Sequence, residues 1–299
     1  MREYISQWTG SSDNSLVQLQ DLEKCRVLDK PEFEKAVSRA KNQSEYIIAV
    51  DVARSQGKQN ATTAIAVFKI TDRGNGKYVK WLVNLETYSK DMHFDSQGLY
   101  IKELVEKYDA KMLIVDGNGI GSGLVDVLVK EDKYPSYSVV NDDEGQYDGY
   151  KLPNSIPILY NLKSTRKETK ASDIHNNFMR VIKNHDLKIL LPELDLRESR
   201  KYKSLKDDSL AQSRMLKPFV ETSLFVDEVM NLTYEERAGG TTVKRVSNKM
   251  DKDRYSAVSY GLYYIYMLEQ ENQKKKREVV DATGFLAIKQ AKFKPRGWS

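Results

Sequence analysis

Two apolar segments of the chain each end on an aspartate. Residues 46–51 read Tyr-Ile-Ile-Ala-Val-Asp, and residues 111–116 read Lys-Met-Leu-Ile-Val-Asp. Nearly unbroken apolar runs of this length predict strands that are buried on both faces of a sheet. Asp51 and Asp116 therefore lie at the mouths of buried strands, where a carboxylate is costly unless a positive group meets it. Taken alone, either aspartate is also typical of an ordinary turn at a strand end.

The remaining pattern places more strands and helices around these two segments. Residues 62–70 and 78–88 predict two further strands, joined by a turn at Asn75-Gly76. Apolar residues recur at helical spacing over residues 96–108. The other predicted elements are helices at residues 32–41, 121–130 and 223–235, a helix with Ile174 and Phe178 on one face, and strands at residues 135–140 and 241–246. Three meandering strands followed by helix, strand, helix and strand predict a mixed sheet with helices on its faces.

A third carboxylate precedes a strongly patterned helix. From Arg254 onward one helical face is apolar, and stepping back four residues from Ala257 places Asp253 on that same face. We therefore expect Asp253 to meet the sheet, with Asp251 as an accessory that reaches the same place only through its loop. Carboxylate oxygens suit Mg²⁺ and Mn²⁺. The spacing predicts a metal site formed by Asp51, Asp116 and Asp253.

Composition removes several classes of protein. The chain has 299 residues, 40% of them hydrophobic, but its longest apolar runs are shorter than the ~18–20 residues that a membrane span needs. Cys25 is the single cysteine, which excludes intrachain disulfides and cysteine-rich zinc sites. The net charge is +5, and residues 271–299 alone carry eight basic and three acidic side chains. Any groove for nucleic acid in the body of the chain must therefore be a local basic patch.

Basic residues near the predicted site are candidates for holding a DNA backbone. Each of them is also an ordinary surface cation when read locally. The candidates are Arg54, Lys58, Lys163, Arg166, Lys167 and Lys249.

The ordered set of acidic motifs resembles the nuclease domain of the large terminase subunit of tailed bacteriophages, a member of the ribonuclease H-like superfamily. The resemblance rests on Ile-Ala-Val-Asp at residues 48–51 with the Thr-Thr strand at 62–63, on Leu-Ile-Val-Asp-Gly-Asn-Gly at 113–119, and on Asp-Arg-Tyr-Ser-Ala at 253–257. It covers roughly residues 45–270. One departure is Ser256, which stands where the family often has a second aspartate.

The resemblance implies a fold, an activity and partners. The fold is a ribonuclease H-like mixed β-sheet with helices on both faces, in which the first and fourth strands are neighbours. Asp51, Asp116 and Asp253 match the family's metal-binding acidic triad, which implies two Mg²⁺ or Mn²⁺ ions and cleavage of double-stranded DNA during genome packaging in the host cell cytoplasm. The implied protein partners are a packaging ATPase domain, the small terminase subunit and the portal protein. No membrane is involved.

Three segments follow from the same interpretation. Residues 1–44 are expected to be a connector, residues 45–270 the nuclease domain, and residues 271–299 a basic tail. No Gly-x4-Gly-Lys-Ser/Thr phosphate loop occurs in the sequence, so the packaging motor is not part of this chain. Two alternatives stay open: another ribonuclease H-like nuclease, such as a Holliday-junction resolvase or a transposase, and a catalytically silent module that docks DNA or the portal.

Overall fold

The computed structural model describes residues 14–37, 44–52, 62–88, 93–163, 171–237, 240–247 and 251–291, with the side chains of the last helix described as far as residue 276. Among these residues the strands are β1 (Arg26–Leu28), β2 (Glu45–Asp51), β3 (Thr63–Gly74), β4 (Lys77–Tyr88), β5 (Met112–Asp116), β6 (Tyr137–Val139), β7 (Ile156–Leu162), β8 (Leu187–Leu190), β9 (Leu232–Arg237) and β10 (Gly240–Arg245). The α-helices are α1 (Leu19–Cys25), α2 (Phe94–Tyr108), α3 (Gly121–Leu128), α4 (Ala171–Lys183), α5 (Glu193–Glu198), α6 (Arg200–Ser204), α7 (Ser209–Met230) and α8 (Asp253–Ala291).

Eight strands form one mixed sheet in the order β1-β8-β4-β3-β2-β5-β7-β6. Strand β3 is antiparallel to β2 and β4, and all other neighbours in the sheet are parallel. Numbering β2, β3, β4, β5 and β7 from one to five gives the order 3-2-1-4-5 with only the second strand reversed. This is the ribonuclease H-like arrangement, and it confirms the predicted fold class.

Helices cover both faces of the sheet. Alternate residues of β2 point to opposite sides: Ile47 and Ala49 pack in one apolar cluster with α4, α7 and α8, whereas Ile48 and Val50 pack in another with α2 and α3. Because both faces of β2 are covered, its five central residues are all buried. The unbroken apolar run that suggested a central strand has this double burial as its cause.

The β3–β4 hairpin turns as its sequence predicts. Asn75 and Gly76 have φ angles of 56° and 72°. Two consecutive positive φ values are the geometry of a tight turn that matches the twist of the strands it joins, and asparagine followed by glycine is the pair that adopts it at least cost.

Several predicted boundaries were wrong. Residues 32–37 are not helical, because this segment pairs its backbone with neighbours: the Glu32 amide donates to the Val83 carbonyl and the Lys35 amide to the Lys107 carbonyl. The helix predicted at residues 223–235 is α7, which begins fourteen residues earlier. Its predicted last turn is instead β9, which pairs with β10 in a separate two-stranded sheet.

The sequence analysis also missed three strands, β1, β7 and β8. Strand β1 lies at the edge of the large sheet, and Leu16 and Leu22 beside it are buried in the core. At the other end of the chain, residues 271–291 continue α8 as helix. The division at residues 44 and 270 stays a prediction. None of the helices in the described part of the chain combines the length and apolarity needed to cross a membrane.

Candidate active site

Strand pairing places two of the predicted carboxylates side by side. Strands β2 and β5 are parallel neighbours, and Val50 is paired with Val115. Asp51 and Asp116 are the next residue of each strand, so both stand at the carboxyl edge of the sheet. Parallel pairing thus brings together two acids that are 65 positions apart in the chain.

Asp253, the first residue of α8, reaches the same edge. Its Oδ2 atom accepts hydrogen bonds from the Thr62 backbone N–H at 2.9 Å and from the Thr62 hydroxyl at 3.3 Å. Thr62 directly precedes β3, and Ala64 of β3 is the pairing partner of Asp51. The helix-start carboxylate is therefore tied to the strand beside Asp51, as its position on the apolar helix face predicted.

The three carboxylates act on one another electrostatically. Burial raises the pKa of Asp51 well above its ordinary value, and the nearby charges of Asp253 and Asp116 raise it further. Lys252 acts in the opposite direction and stabilises the charged form of Asp51. Burial also raises the pKa of Asp253, with Asp251 contributing in the same sense. Negative charge is thus concentrated at this edge of the sheet.

Hydroxyl and amide donors satisfy these carboxylates in the structure. Asp116 Oδ1 accepts from the backbone N–H of Asn118 at 3.0 Å and from its side-chain Nδ2 at 2.8 Å, while Asp116 Oδ2 accepts from the Tyr260 hydroxyl at 2.9 Å. The Ser256 hydroxyl lies near the Asp51 carboxylate and acts to lower its pKa. Among the described residues, no three or more histidine, cysteine, aspartate or glutamate side chains are grouped closely enough to hold a metal ion as they stand.

Glycines allow the loop after β5 to fold tightly around Asp116. A Cβ atom at Gly121 would lie 1.6 Å from the Asp116 carbonyl oxygen, and one at Gly117 would lie 1.7 Å from Asn161 Oδ1. Gly119 has a φ of 55°, a backbone conformation that glycine adopts readily. The glycine-rich sequence after Asp116 is therefore explained by close contacts around this carboxylate.

An ion-pair network fixes the start of α8. Arg254 Nε donates to Glu221 at 2.7 Å and Arg254 Nη1 donates to Glu228 at 2.6 Å, so the guanidinium joins α8 to two turns of α7. The Tyr255 backbone N–H donates to the second oxygen of Glu228 at 3.0 Å. Burial raises the pKa of Glu228 to about 7, and the Arg254 charge opposes this rise. Asp253 is adjacent to this clamp.

The other predicted site residues have different positions. Asp251 lies close enough to raise the pKa of Asp253, and its carboxylate is 3.8 Å from the Arg245 guanidinium. Lys163 follows β7 at the same sheet edge, and its Nζ donates to Gln146 Oε1 at 3.1 Å. The remaining DNA-binding candidates lie outside the described residues: Arg54, Lys58, Arg166, Lys167 and Lys249.

Sequence reasoning missed the residues that serve the carboxylates. Thr62, Asn118 and Tyr260 hydrogen bond to them, and Ser256 and Lys252 stabilise the charged form of Asp51. Helical spacing could have indicated two of them, because Asp253, Ser256 and Tyr260 follow one another at intervals of three and four on one face of α8. Tyr260 belongs to an apolar helix face and packs against the core, and its hydroxyl also donates to Asp116.

The strand order and the three converging carboxylates define a ribonuclease H-like α/β protein with an acidic site at the carboxyl edge of its central strands. No protein-family model matches the chain, and no curated protein matches its sequence.

Solved structures similar to this chain come from the large terminases of bacteriophages. The large terminase nuclease of the thermophilic phage G20c with bound magnesium is 14% identical, with 84% of this chain and 97% of that chain covered at a TM-score of 0.46. For the large terminase of bacteriophage HK97 the identity is 10%, the coverage 84% and 43%, and the TM-score 0.46. A mutant nuclease domain of the Sf6 large terminase with manganese is 9% identical, with 83% and 98% covered at a TM-score of 0.42. This similarity is distant, and the fold class rests on the strand order.

Proposed function

We propose that this chain is a metal-dependent endonuclease that cleaves double-stranded DNA during viral genome packaging, as the nuclease part of a large terminase subunit. The observation that carries the nuclease proposal is the meeting of Asp51, Asp116 and Asp253 at one sheet edge, although they come from segments far apart in the chain. The packaging role is supported by the resemblance of the acidic motifs to that family.

The residues at the site fit a hard divalent cation. Three carboxylates supply only oxygen atoms, the ligands that Mg²⁺ and Mn²⁺ prefer. The burial and mutual repulsion that raise the Asp51 pKa would be relieved by a positive ion among the three groups. Asp51, Asp116 and Asp253 would hold two such ions, with Asp251 as an accessory ligand. When bound, the ions activate a water molecule and stabilise charge on the phosphate under attack.

The chain's own residues have separate tasks in this proposal. Asp51 feels the charge of both other carboxylates, which suits a ligand shared between the two ions. Lys252 and Lys163 place positive charge beside the acidic edge, where the DNA backbone would pass. The further proposed backbone contacts are Arg54, Lys58, Arg166, Lys167 and Lys249.

The expected partners follow from the same proposal. They are double-stranded DNA, a packaging ATPase domain, the small terminase subunit and the portal protein, in the cytoplasm of the host cell. The motif resemblance supports all of them.

A plasmid-nicking assay with Mn²⁺ tests the proposal through Asp51→Asn. We expect the variant to lose at least about a hundredfold in nicking rate, because a shared ligand contributes several kcal/mol to transition-state stabilisation. Its melting temperature should equal or exceed that of the wild type, since a buried and repelled charge has been removed. Asp143→Ala, at an exposed turn residue, is the control and should keep wild-type activity.

The outcomes separate the alternatives. Absence of cleavage by the wild type with any divalent ion would favour a docking module, and a strong preference for branched over linear DNA would favour a resolvase. Full activity in Asp51→Asn would reject the carboxylate site itself.

A further inference from the structure

Hydroxyl groups of α8 lie beside two of the strand-end carboxylates. Tyr260 donates to Asp116 Oδ2 at 2.9 Å. Ser256, one turn earlier on the same helix face, has its hydroxyl near the Asp51 carboxylate and near the Tyr260 hydroxyl, and it acts to lower the pKa of both groups. One face of α8 thus serves both Asp116 and Asp51.

We propose that Tyr260 is a positioning residue of the carboxylate site, holding the Asp116 carboxylate turned towards Asp51 so that one divalent cation can contact both. This inference deepens the proposed nuclease function and rests on it.

The two oxygens of Asp116 show why a second donor is needed. Oδ1 is held by the backbone and side chain of Asn118, two residues further along the same loop. A carboxylate anchored at one oxygen by its own loop has its orientation fixed when its other oxygen is held from a different element. Tyr260 supplies that second bond from the helix. Each carboxylate oxygen has two lone pairs, so Oδ2 keeps one for a cation.

The position of Tyr260 makes it a rigid donor. The residue is half-buried on α8, and its phenol ring has only two side-chain torsions. The start of α8 is clamped to α7 through Arg254, and Asp253 is hydrogen bonded to Thr62. These contacts fix the start of the helix relative to the sheet, and Tyr260 follows two turns later on the same rigid element. Donors of this kind, which orient a metal-binding carboxylate, commonly affect metal affinity by about 10- to 100-fold.

Mn²⁺ binding and Mn²⁺-dependent nicking by the full chain test the proposal. We expect Tyr260→Phe to bind Mn²⁺ about 10- to 100-fold more weakly, as measured by electron paramagnetic resonance of the free ion. Half-maximal nicking should move to a correspondingly higher Mn²⁺ concentration, while the rate at saturating Mn²⁺ stays near that of the wild type. The matched control is Tyr264→Phe, the same change one turn further on, where the buried ring packs edge-on against Tyr160. It should keep wild-type affinity.

A second pair of variants provides an independent test in case Tyr260→Phe does not fold correctly. Ser256→Ala should weaken Mn²⁺ binding by about tenfold, because it removes a hydroxyl that stabilises the charged form of Asp51. Its control, Ser259→Ala, alters a buried hydroxyl that donates to the Ser256 carbonyl instead of to a carboxylate.

Specific outcomes overturn the inference. Wild-type Mn²⁺ affinity in Tyr260→Phe would do so, and so would an equal loss in Tyr264→Phe. A lower nicking rate at saturating Mn²⁺, with half-maximal nicking at the wild-type Mn²⁺ concentration, would show that Tyr260 acts only through packing and would also reject the inference. If the wild type neither bound Mn²⁺ nor nicked DNA, the nuclease proposal itself would be rejected. This result can be told apart from a failure of the Tyr260 inference alone, because it is measured on the wild type.

Discussion

Asp116 is held from all sides by its immediate neighbours. Asn118 and Tyr260 occupy its carboxylate oxygens, and its carbonyl oxygen lies where a side chain at Gly121 would begin. Such close packing leaves the backbone of this loop little freedom to shift. The orientation of one acidic side chain therefore depends on the absence of another side chain five positions away.

Gly121→Ala tests this dependence. The added methyl group would lie 1.6 Å from the Asp116 carbonyl oxygen, so the backbone must move. We expect a loss of about 1–3 kcal/mol in the free energy of unfolding, as for other overpacked sites, together with a reduced nicking rate. Thermal unfolding and the plasmid assay measure both. Gly149→Ala is the control, since a Cβ atom there meets nothing within 4 Å; equal effects in both variants would refute the steric argument.

For individual residues, the sequence predicted the acidic side chains of the site but not their hydrogen-bond partners. Asp51 and Asp116 could be found because an apolar strand that ends on a carboxylate is visible in one dimension. Ser256 and Tyr260 could not be assigned to particular carboxylates, because that assignment depends on how α8 is rotated and shifted over the sheet. Asn161 Oδ1 is a buried atom without a hydrogen-bond partner in the described part of the chain, and it lies beside Gly117. This contact could not be predicted either, because it depends on the pairing of β5 with β7.

Among the elements, α8 connects the site to the rest of the fold. Its first turn carries Asp253 and Arg254, which is ion-paired with α7. Its middle packs in the apolar cluster that it forms with α4, α7 and one face of the sheet. Further along, Glu269 forms a buried ion pair with Lys80 at 2.6 Å, and Asn272 donates to the Tyr78 hydroxyl at 3.0 Å. The helix is thus attached to the sheet at both ends of this span.

Helix α4 contacts the start of α8 through His175, whose Nδ1 atom is 2.7 Å from the Tyr255 hydroxyl. Burial lowers the pKa of His175 to about 4, and the Lys252 charge acts in the same direction. In the unfolded chain the imidazole binds its proton near pH 6.5. The unfolded state therefore binds more protons between these two values, and stability is lost as the pH falls from about 6.5 to about 4.

His175→Gln should remove this part of the pH dependence. Relative to the variant, the wild type should lose up to about 3 kcal/mol of unfolding free energy across that window. Denaturant unfolding at several pH values measures the difference. His93→Gln, at an exposed position, should behave as the wild type does. A constant difference between wild type and His175→Gln from pH 7 to 4 would contradict the expected effect.

Buried strands and helices were easier to predict from the sequence than those at the edge of the fold. The β2–β3–β4 meander was predicted because its central strands are apolar and its turn is marked by Asn75-Gly76. Strand β1 was missed because it is a three-residue edge strand, too short for a periodic signal. Helix α7 was predicted to begin too late, because Pro218 and the charged residues before it obscure the helical pattern of its first turns.

For the whole molecule, the distribution of charge separates the body from its C-terminal end. Residues 271–299 account for the entire net charge of +5, while the acidic site lies at the other end of the α8 span. The basic excess of the sequence therefore belongs to its C-terminal segment, whereas residues 1–270 are formally neutral. Attraction between this segment and DNA or the portal would be long-range and sensitive to salt.

A truncation after Lys276 tests whether residues 277–299 serve docking to the portal without serving DNA cleavage. It keeps the Lys80–Glu269 pair and the Asn272–Tyr78 contact, so we expect the melting temperature and nicking rate of the wild type. Docking to the portal should weaken. Nicking and pull-down assays on the same preparation measure both, and an equal loss of both activities would contradict the separation.

The order of synthesis has a consequence for the acidic edge. Asp51 and Asp116 emerge early from the ribosome, whereas Asp253 enters only with the final helix. A nascent polypeptide therefore contains every strand of the large sheet before it contains the third carboxylate. A product that ends before residue 253 would carry only two of the three carboxylates, so the proposed site is complete only once the last helix has been made.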